Sequence, residues 1–227
     1  MSTSFFPPLG PAPQPAPPAP IGRIPVTGVF PVVEGGRWAA KAVVGEVFPV
    51  RATVFRDGHE HVGATVVLID PSGKDHASVH MREVGDGLDT WQALVSVPSE
   101  GAWSFRVEGW SDPYSTWCYD AAVKVAADVD TELMLTEGAQ LLERAAKQKG
   151  RAKADVTVLR RAVRGLADKK RPAEVRLAAG LHEDVRAVMK ESPLRDFVSA
   201  SPTYPLTVHR KEALYAAWYE FFPRSEG

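Results

Sequence analysis

From Ile21 to about Ala127 the apolar and polar positions alternate with the two-residue period of strands. Phe48, Val50, Ala52 and Val54 alternate with Pro49, Arg51, Thr53 and Phe55, as in a strand with one face on a core. Trp103, Phe105 and Val107 alternate with Ser104, Arg106 and Glu108 in the same way. Further runs over Val62–Ile69, Trp91–Val97 and Trp117–Val125 also read as strands. Turn chemistry separates them at Glu34-Gly35-Gly36, Arg56-Asp57-Gly58, Asp70-Pro71-Ser72-Gly73, Gly85-Asp86-Gly87 and Ser99-Glu100-Gly101. About seven strands at this spacing predict an immunoglobulin-like β-sandwich over residues 21–127.

Near Asp128 the period changes. Asp128 and Asp130 are helix N-cap candidates, and Leu141, Leu142 and Ala145 follow at helical spacing. Val156, Leu159, Val163 and Leu166 make a second stripe. Pro172 suits the first turn of a third helix, whose stripe is Val175, Ala178, Leu181, Val185 and Val188. Ser192 and Pro193 open a short helical turn with Leu194 and Phe197. Residues 128–199 are therefore expected to form a helical hairpin or three-helix bundle, packed on the sandwich or on another chain.

The two ends differ from this middle. Residues 1–20 are mostly Pro, Ala and Ser, a composition that predicts a disordered or polyproline tail. Residues 200–227 read as a linker followed by an apolar aromatic run, Trp218, Tyr219, Phe221 and Phe222. Such a run suits a strand buried on both faces. It is expected to be an orphan strand, the first of an absent catalytic barrel; the other reading folds it back onto an upstream sheet. The fold class expected is thus mainly β with α: a sandwich, a helical bundle and that last strand.

Composition narrows the function without naming it. With 44% hydrophobic and 24% charged residues the chain is of ordinary globular type. It has no apolar stretch approaching the roughly 20 residues that span a bilayer, and Met1–Phe6 lacks the pattern of a secretory signal. Cys118 is the only cysteine, which excludes an internal disulfide and a cysteine-based zinc site. These features suit a reducing cytosol, so a cytoplasmic location is expected. The net charge of −1 gives no global pull toward nucleic acid or membrane.

Candidate chemistry is sparse. His59, His61, His76 and His80 fall in turns and a short strand without the convergence a metal needs, and read as surface residues. Trp103 is on the inward phase of its strand and reads as core. Trp110 follows the outward phase and Trp117 opens the next predicted strand, so each is either packed under the helices, at an interface, or stacked on a sugar. Between Lys147 and Arg171 ten basic residues face only Asp155 and Asp168. This segment reads as a solvated helical face rather than a nucleic-acid reader, because interleaved aromatics and a reading helix are lacking. The sequence contains no nucleophile elbow, phosphate loop, dinucleotide fingerprint or paired-carboxylate motif. No catalytic, cofactor-binding or metal residue is assigned, and no cofactor is expected.

Several segments together resemble the N-terminal region of the α-1,4-glucan:maltose-1-phosphate maltosyltransferases, bacterial relatives of the family 13 glycoside hydrolases. They are Ile21–Val26, Ala40–Glu46, Ala52–His59, Val107–Pro113, Thr116-Trp117, Glu137–Ala139 and the stretch Ala217–Gly227. The resemblance covers all but the proline-rich tail. It implies a sandwich with a helical insertion that precedes a (β/α)8 catalytic barrel. It also implies a retaining transfer of maltosyl units from α-maltose 1-phosphate to an α-1,4-glucan. That mechanism needs two carboxyl groups roughly 5 Å apart, which in the family come from barrel strands and would lie beyond Gly227. The partners implied are the glucan and the sugar phosphate, both through the barrel, and a second copy in a homodimer. The stripes Val156-Leu159-Val163-Leu166 and Val175-Ala178-Leu181-Val185-Val188 are candidates for its apolar interface.

Two function classes follow: a non-catalytic front module of a maltosyltransferase, or a stand-alone sandwich that binds carbohydrate or protein. A barrel with acidic residues at its strand ends downstream of Gly227 separates them.

Overall fold

The alternating segments build two stacked sheets in the computed structural model, which describes residues 22–215. The strands are β1 (Val26–Phe30), β2 (Ala40–Val43), β3 (Val47–Val54), β4 (Val62–Ile69), β5 (Asp75–His80), β6 (Arg82–Glu83), β7 (Thr90–Ser96) and β8 (Gly101–Ser111). Two more follow the helices: β9 (Asp196–Ala200) and β10 (Tyr204–His209). One sheet has the order β1-β3-β7-β6 and the other β2-β10-β8-β4-β5, with β9 on the far end of β8. Val50, Ala52 and Val54 of β3 face Val66 and Leu68 of β4 and Trp103, Phe105 and Val107 of β8 in one core. The predicted phases of β3 and β8 are those observed.

The helices are α1 (Pro113–Ala126), α2 (Thr131–Ala146), α3 (Lys153–Ala167), α4 (Ala173–Gly180) and α5 (Glu183–Glu191). They enclose a second core built on Trp117, Leu135, Leu142, Leu159, Leu166 and Val185. The mixed β and α character expected from the periods is what the chain adopts.

Several expectations are corrected. The run Trp117–Val125 is helix α1, not a strand. Its apolar residues alternate well enough to imitate a strand, but Asp112 caps the helix by accepting from Ser115 N at 2.9 Å, and Pro113 pre-sets its first turn. The third predicted helix is two, α4 and α5, because the chain breaks at Leu181 and His182 restarts it by accepting from Asp184 N. The phase of α4 is also shifted: Val175 is 47% exposed, while Arg176, Leu177 and Gly180 are buried. The stripe of α3 is spent inside the bundle, where Leu159 and Leu166 are fully buried. Phe197 lies in strand β9, not in a helical turn.

The segment expected to be a linker returns to the sandwich. Tyr204–His209 inserts between β2 and β8, parallel to the first and antiparallel to the second. The proline-rich segment 1–20 and the aromatic run Trp218–Phe222 lie outside the described residues.

Candidate functional site

Strand β8 passes into α1 with only Asp112 between them, and this joint is held tightly. Asp112 N donates to the His61 carbonyl (2.8 Å) and His61 N donates to Thr116 Oγ1 (2.9 Å). Helix α1 therefore leaves the sheet at a fixed angle and divides the junction between sandwich and helices into two clefts.

On one side lies a cleft of about 500 Å³ lined by Arg56, Glu60, Trp117, Asp120, Glu137, Gln140, Arg144, Asp196 and Phe197. Two of its carboxylates are held in ion pairs: Glu60 with Arg56 (2.8 Å) and Asp196 with Arg144 (2.9 Å). Arg56 also donates to Ser111 Oγ (2.9 Å). At its mouth Phe197 is 52% exposed, with a left-handed φ of +52°. That conformation is costly for a bulky residue. The guanidinium of Arg23 covers the Phe197 ring, 4.8 Å from its centroid, and that of Arg56 stands 5.7 Å away.

On the other side a cleft of about 770 Å³ runs between β4, β5 and the helices. Its lining includes His61, Met81, Arg82, Trp91, Trp110, Tyr114, Cys118, Tyr119, Arg186 and Met189. The Tyr114 hydroxyl donates to the Gly180 carbonyl (3.0 Å) and ties α1 to α4. Burial pushes the Tyr114 phenol well above its ordinary range and raises the Cys118 thiol as well.

The tryptophans singled out in the sequence are packed. Trp110 and Trp117 are each 5% exposed. Trp110 does point outward from the sheet, as its phase predicts; its ring lies against Gly63, and the Arg195 guanidinium stands over it, 5.7 Å from the ring centroid. Its Nε1–H donates to Thr65 Oγ1 at 3.0 Å. Trp117 belongs to the helical core and donates to the Met134 carbonyl at 2.8 Å. Stacking of a sugar on either indole is therefore ruled out by packing. His59, His61, His76 and His80 all sit at the surface, with His76 edge-on to Trp103 and His80 edge-on to Trp110. The basic segment occupies α3 and its flanks. Within it Arg161 pairs with Asp184 and Arg171 with Asp168.

The exposed aromatics of the two clefts are other residues. Tyr119 is 61% exposed beside the larger cleft and Phe197 marks the smaller one. A helical reading of 113–126, signalled by Asp112-Pro113 and Ser115, would have put Tyr119 on the face away from Trp117. Nothing in the local sequence signals the left-handed backbone of Phe197.

Polar side chains and aromatic rings line both clefts at the junction of sandwich and helices. Among the described residues no helix is long and apolar enough to cross a membrane.

Comparison with known proteins places the chain. Residues 22–210 match the family described as α-1,4-glucan:maltose-1-phosphate maltosyltransferase, domain N/S. The chain is 53% identical, over 92% of its length, to α-1,4-glucan:maltose-1-phosphate maltosyltransferase 1 of Streptomyces coelicolor, and covers 31% of that protein. It is 38% identical to the maltosyltransferase of Arcanobacterium haemolyticum and 37% identical to that of Bifidobacterium longum, over 91% and 92% of this chain. It covers 30% and 31% of those two relatives. On this match over both the sandwich and the helices, the chain belongs to the domain N/S family of the α-1,4-glucan:maltose-1-phosphate maltosyltransferases.

Proposed function

We propose that the chain is the non-catalytic N-terminal module of an enzyme that transfers maltosyl units from α-maltose 1-phosphate to an α-1,4-glucan. The observation that carries this reading is the extent of the match: 92% of the chain aligns with only 31% of a relative bearing that activity in its name. Sandwich and helices then act as a rigid support whose junction faces the rest of the enzyme. The β-sandwich is read as immunoglobulin-like, the enzyme as cytoplasmic and as a homodimer. Val175, left at the surface of α4, is available to such an interface.

The test is release of inorganic phosphate from α-maltose 1-phosphate in the presence of maltooligosaccharide. The 227-residue chain is expected to release none, and the same chain continued by the sequence its relatives carry is expected to turn over. Turnover by the 227 residues alone, surviving repurification, overturns the non-catalytic role. Sedimentation of the longer enzyme as a monomer overturns the homodimer.

A further inference from the structure

We infer that the larger cleft binds a phosphorylated ligand with a planar aromatic body, of the nucleotide class, with Arg82, Arg186 and Lys190 on its phosphates and Tyr119 against its ring. The volume of about 770 Å³ lies in the range of small-molecule sites. The three cations reach the cleft from opposite walls. Arg82 comes from the sandwich, next to Met81, which is buried and donates through its N–H to the Ala64 carbonyl at 2.9 Å. Arg186 and Lys190 stand one turn apart on α5 and are both exposed. Arg186 Nε donates to the Leu181 carbonyl (2.9 Å), which sets the plane of the guanidinium and leaves its two Nη groups for the cleft.

Among the described residues none of these three cations is held in an ion pair. The smaller cleft is the opposite case, with Arg56 spent on Glu60 and Arg144 on Asp196. The carboxylates that line the larger cleft are Asp112 and Glu191. Both oxygens of Asp112 are occupied, Oδ1 by the Ser115 N–H (2.9 Å) and Oδ2 by the Ser115 hydroxyl (2.7 Å). An excess of cations held on separate elements around one opening attracts an anion, and the planar fork of arginine suits phosphate oxygens. The rest of the lining is aromatic or apolar: Trp110, Tyr114, Met81 and Met189 are buried there, while Tyr119 is 61% exposed. The Tyr119 ring meets the His61 ring edge-on at 6.1 Å, which leaves a face for a base to stack on. A bare phosphate would leave this apolar lining in water, and an uncharged ring would leave the cations without a counter-ion. A nucleotide engages both.

Calorimetric titration of the 227-residue chain with ATP, tripolyphosphate and adenosine, each without divalent cations, tests the site. ATP is expected to bind saturably, about tenfold more weakly in Tyr119→Ala and in Arg186→Ala, and to be weakened by added salt. Lys190→Ala, at an exposed position, is expected to weaken it as well, and covers the case in which loss of the Leu181 bond in Arg186→Ala disturbs the fold. Arg164→Ala, on the exposed face of α3 and outside this cleft, is expected to leave ATP binding intact. Tripolyphosphate is expected to bind more weakly than ATP and to be indifferent to Tyr119→Ala. Tripolyphosphate binding as tightly as ATP overturns the nucleotide class, and adenosine binding as tightly as ATP overturns the phosphate assignment. Absence of saturable ATP binding, binding that survives both Tyr119→Ala and Lys190→Ala, or an equal loss in Arg164→Ala overturns the site.

Discussion

Trp117 and Gly138 meet ring against backbone: a Cβ placed on Gly138 would fall 2.1 Å from Cζ2 of the Trp117 ring. The same ring comes within 2.7 Å of the Cβ position of Gly180. Helices α2 and α4 thus approach one indole through two residues that have no side chain.

The first prediction follows from that contact. Ala in place of Gly inside a helix ordinarily gains about 1 kcal/mol. At Gly138 the gain is reversed, because neither the indole nor the helix backbone can yield without breaking the bond from Trp117 to the Met134 carbonyl. Gly138→Ala is expected to destabilise the chain by about 1–3 kcal/mol, read as a lower midpoint in urea. An unchanged or higher midpoint would mean that α1 and α2 slide apart freely.

Thr65 is fully buried and accepts from the Trp110 indole. Thr65→Val keeps the shape but leaves that N–H without its acceptor, at an expected cost of about 1–3 kcal/mol. In the Thr65→Val background, Trp110→Phe should cost less than in the unaltered chain, because the stranded donor has gone. Equal costs in the two backgrounds would show that the bond contributes nothing.

Cys118 faces the larger cleft, and burial lifts its thiol above the ordinary value of 9.0. The thiolate is the reactive form, so its fraction at pH 8 falls below that of a free cysteine. Alkylation by iodoacetamide at that pH should be slower than for a cysteine peptide and should approach the peptide's rate in urea. A native rate equal to the peptide's would refute the burial effect.

Arg176 is 4% exposed, donates through Nε to the Leu166 carbonyl (2.8 Å), and pairs with Glu132. Its guanidinium holds the Glu132 carboxyl below the ordinary value of 4.5. A depressed folded value means stability that is present above the unfolded value and lost as pH falls through the folded one. Acidification below about pH 4.5 should therefore weaken the helical core. Glu132→Gln should lower stability at neutral pH and flatten that acid limb. An acid limb of the same slope in Glu132→Gln would assign the loss to other carboxylates, such as Asp75 beside Arg106.

How much of this was legible in the sequence depends on the range over which each signal acts. The phases of Val50-Ala52-Val54 and Trp103-Phe105-Val107 were readable because a two-residue period is local. The helix over Trp117–Val125 reads as a strand because its apolar positions fit both periods, while the cap that decides between them, Asp112 with Pro113, lies upstream of the run. The covering of Trp110 could not be read, since the residues that cover it, Arg195 among them, lie far along the chain. Phe197 shows the same limit. Its exposure and backbone angle follow from pairing with β8, where the register shifts between Gly109 and Ser111.

The strand between β2 and β8 has a consequence for how this chain is made. Leu206 lies beside Ala40 on one side and Trp103 on the other. A ribosome delivers both neighbours, and then helices α1 to α5, before it delivers the strand that joins them. Until Tyr204–His209 emerges, β2 has no partner in its sheet and half of one edge of β8 stays open. The helical core can assemble meanwhile from contiguous chain, whereas the sandwich must wait. Its last stitch is thus made by the residues that lead into whatever the ribosome adds next, so the sandwich closes only once the helices are already in place.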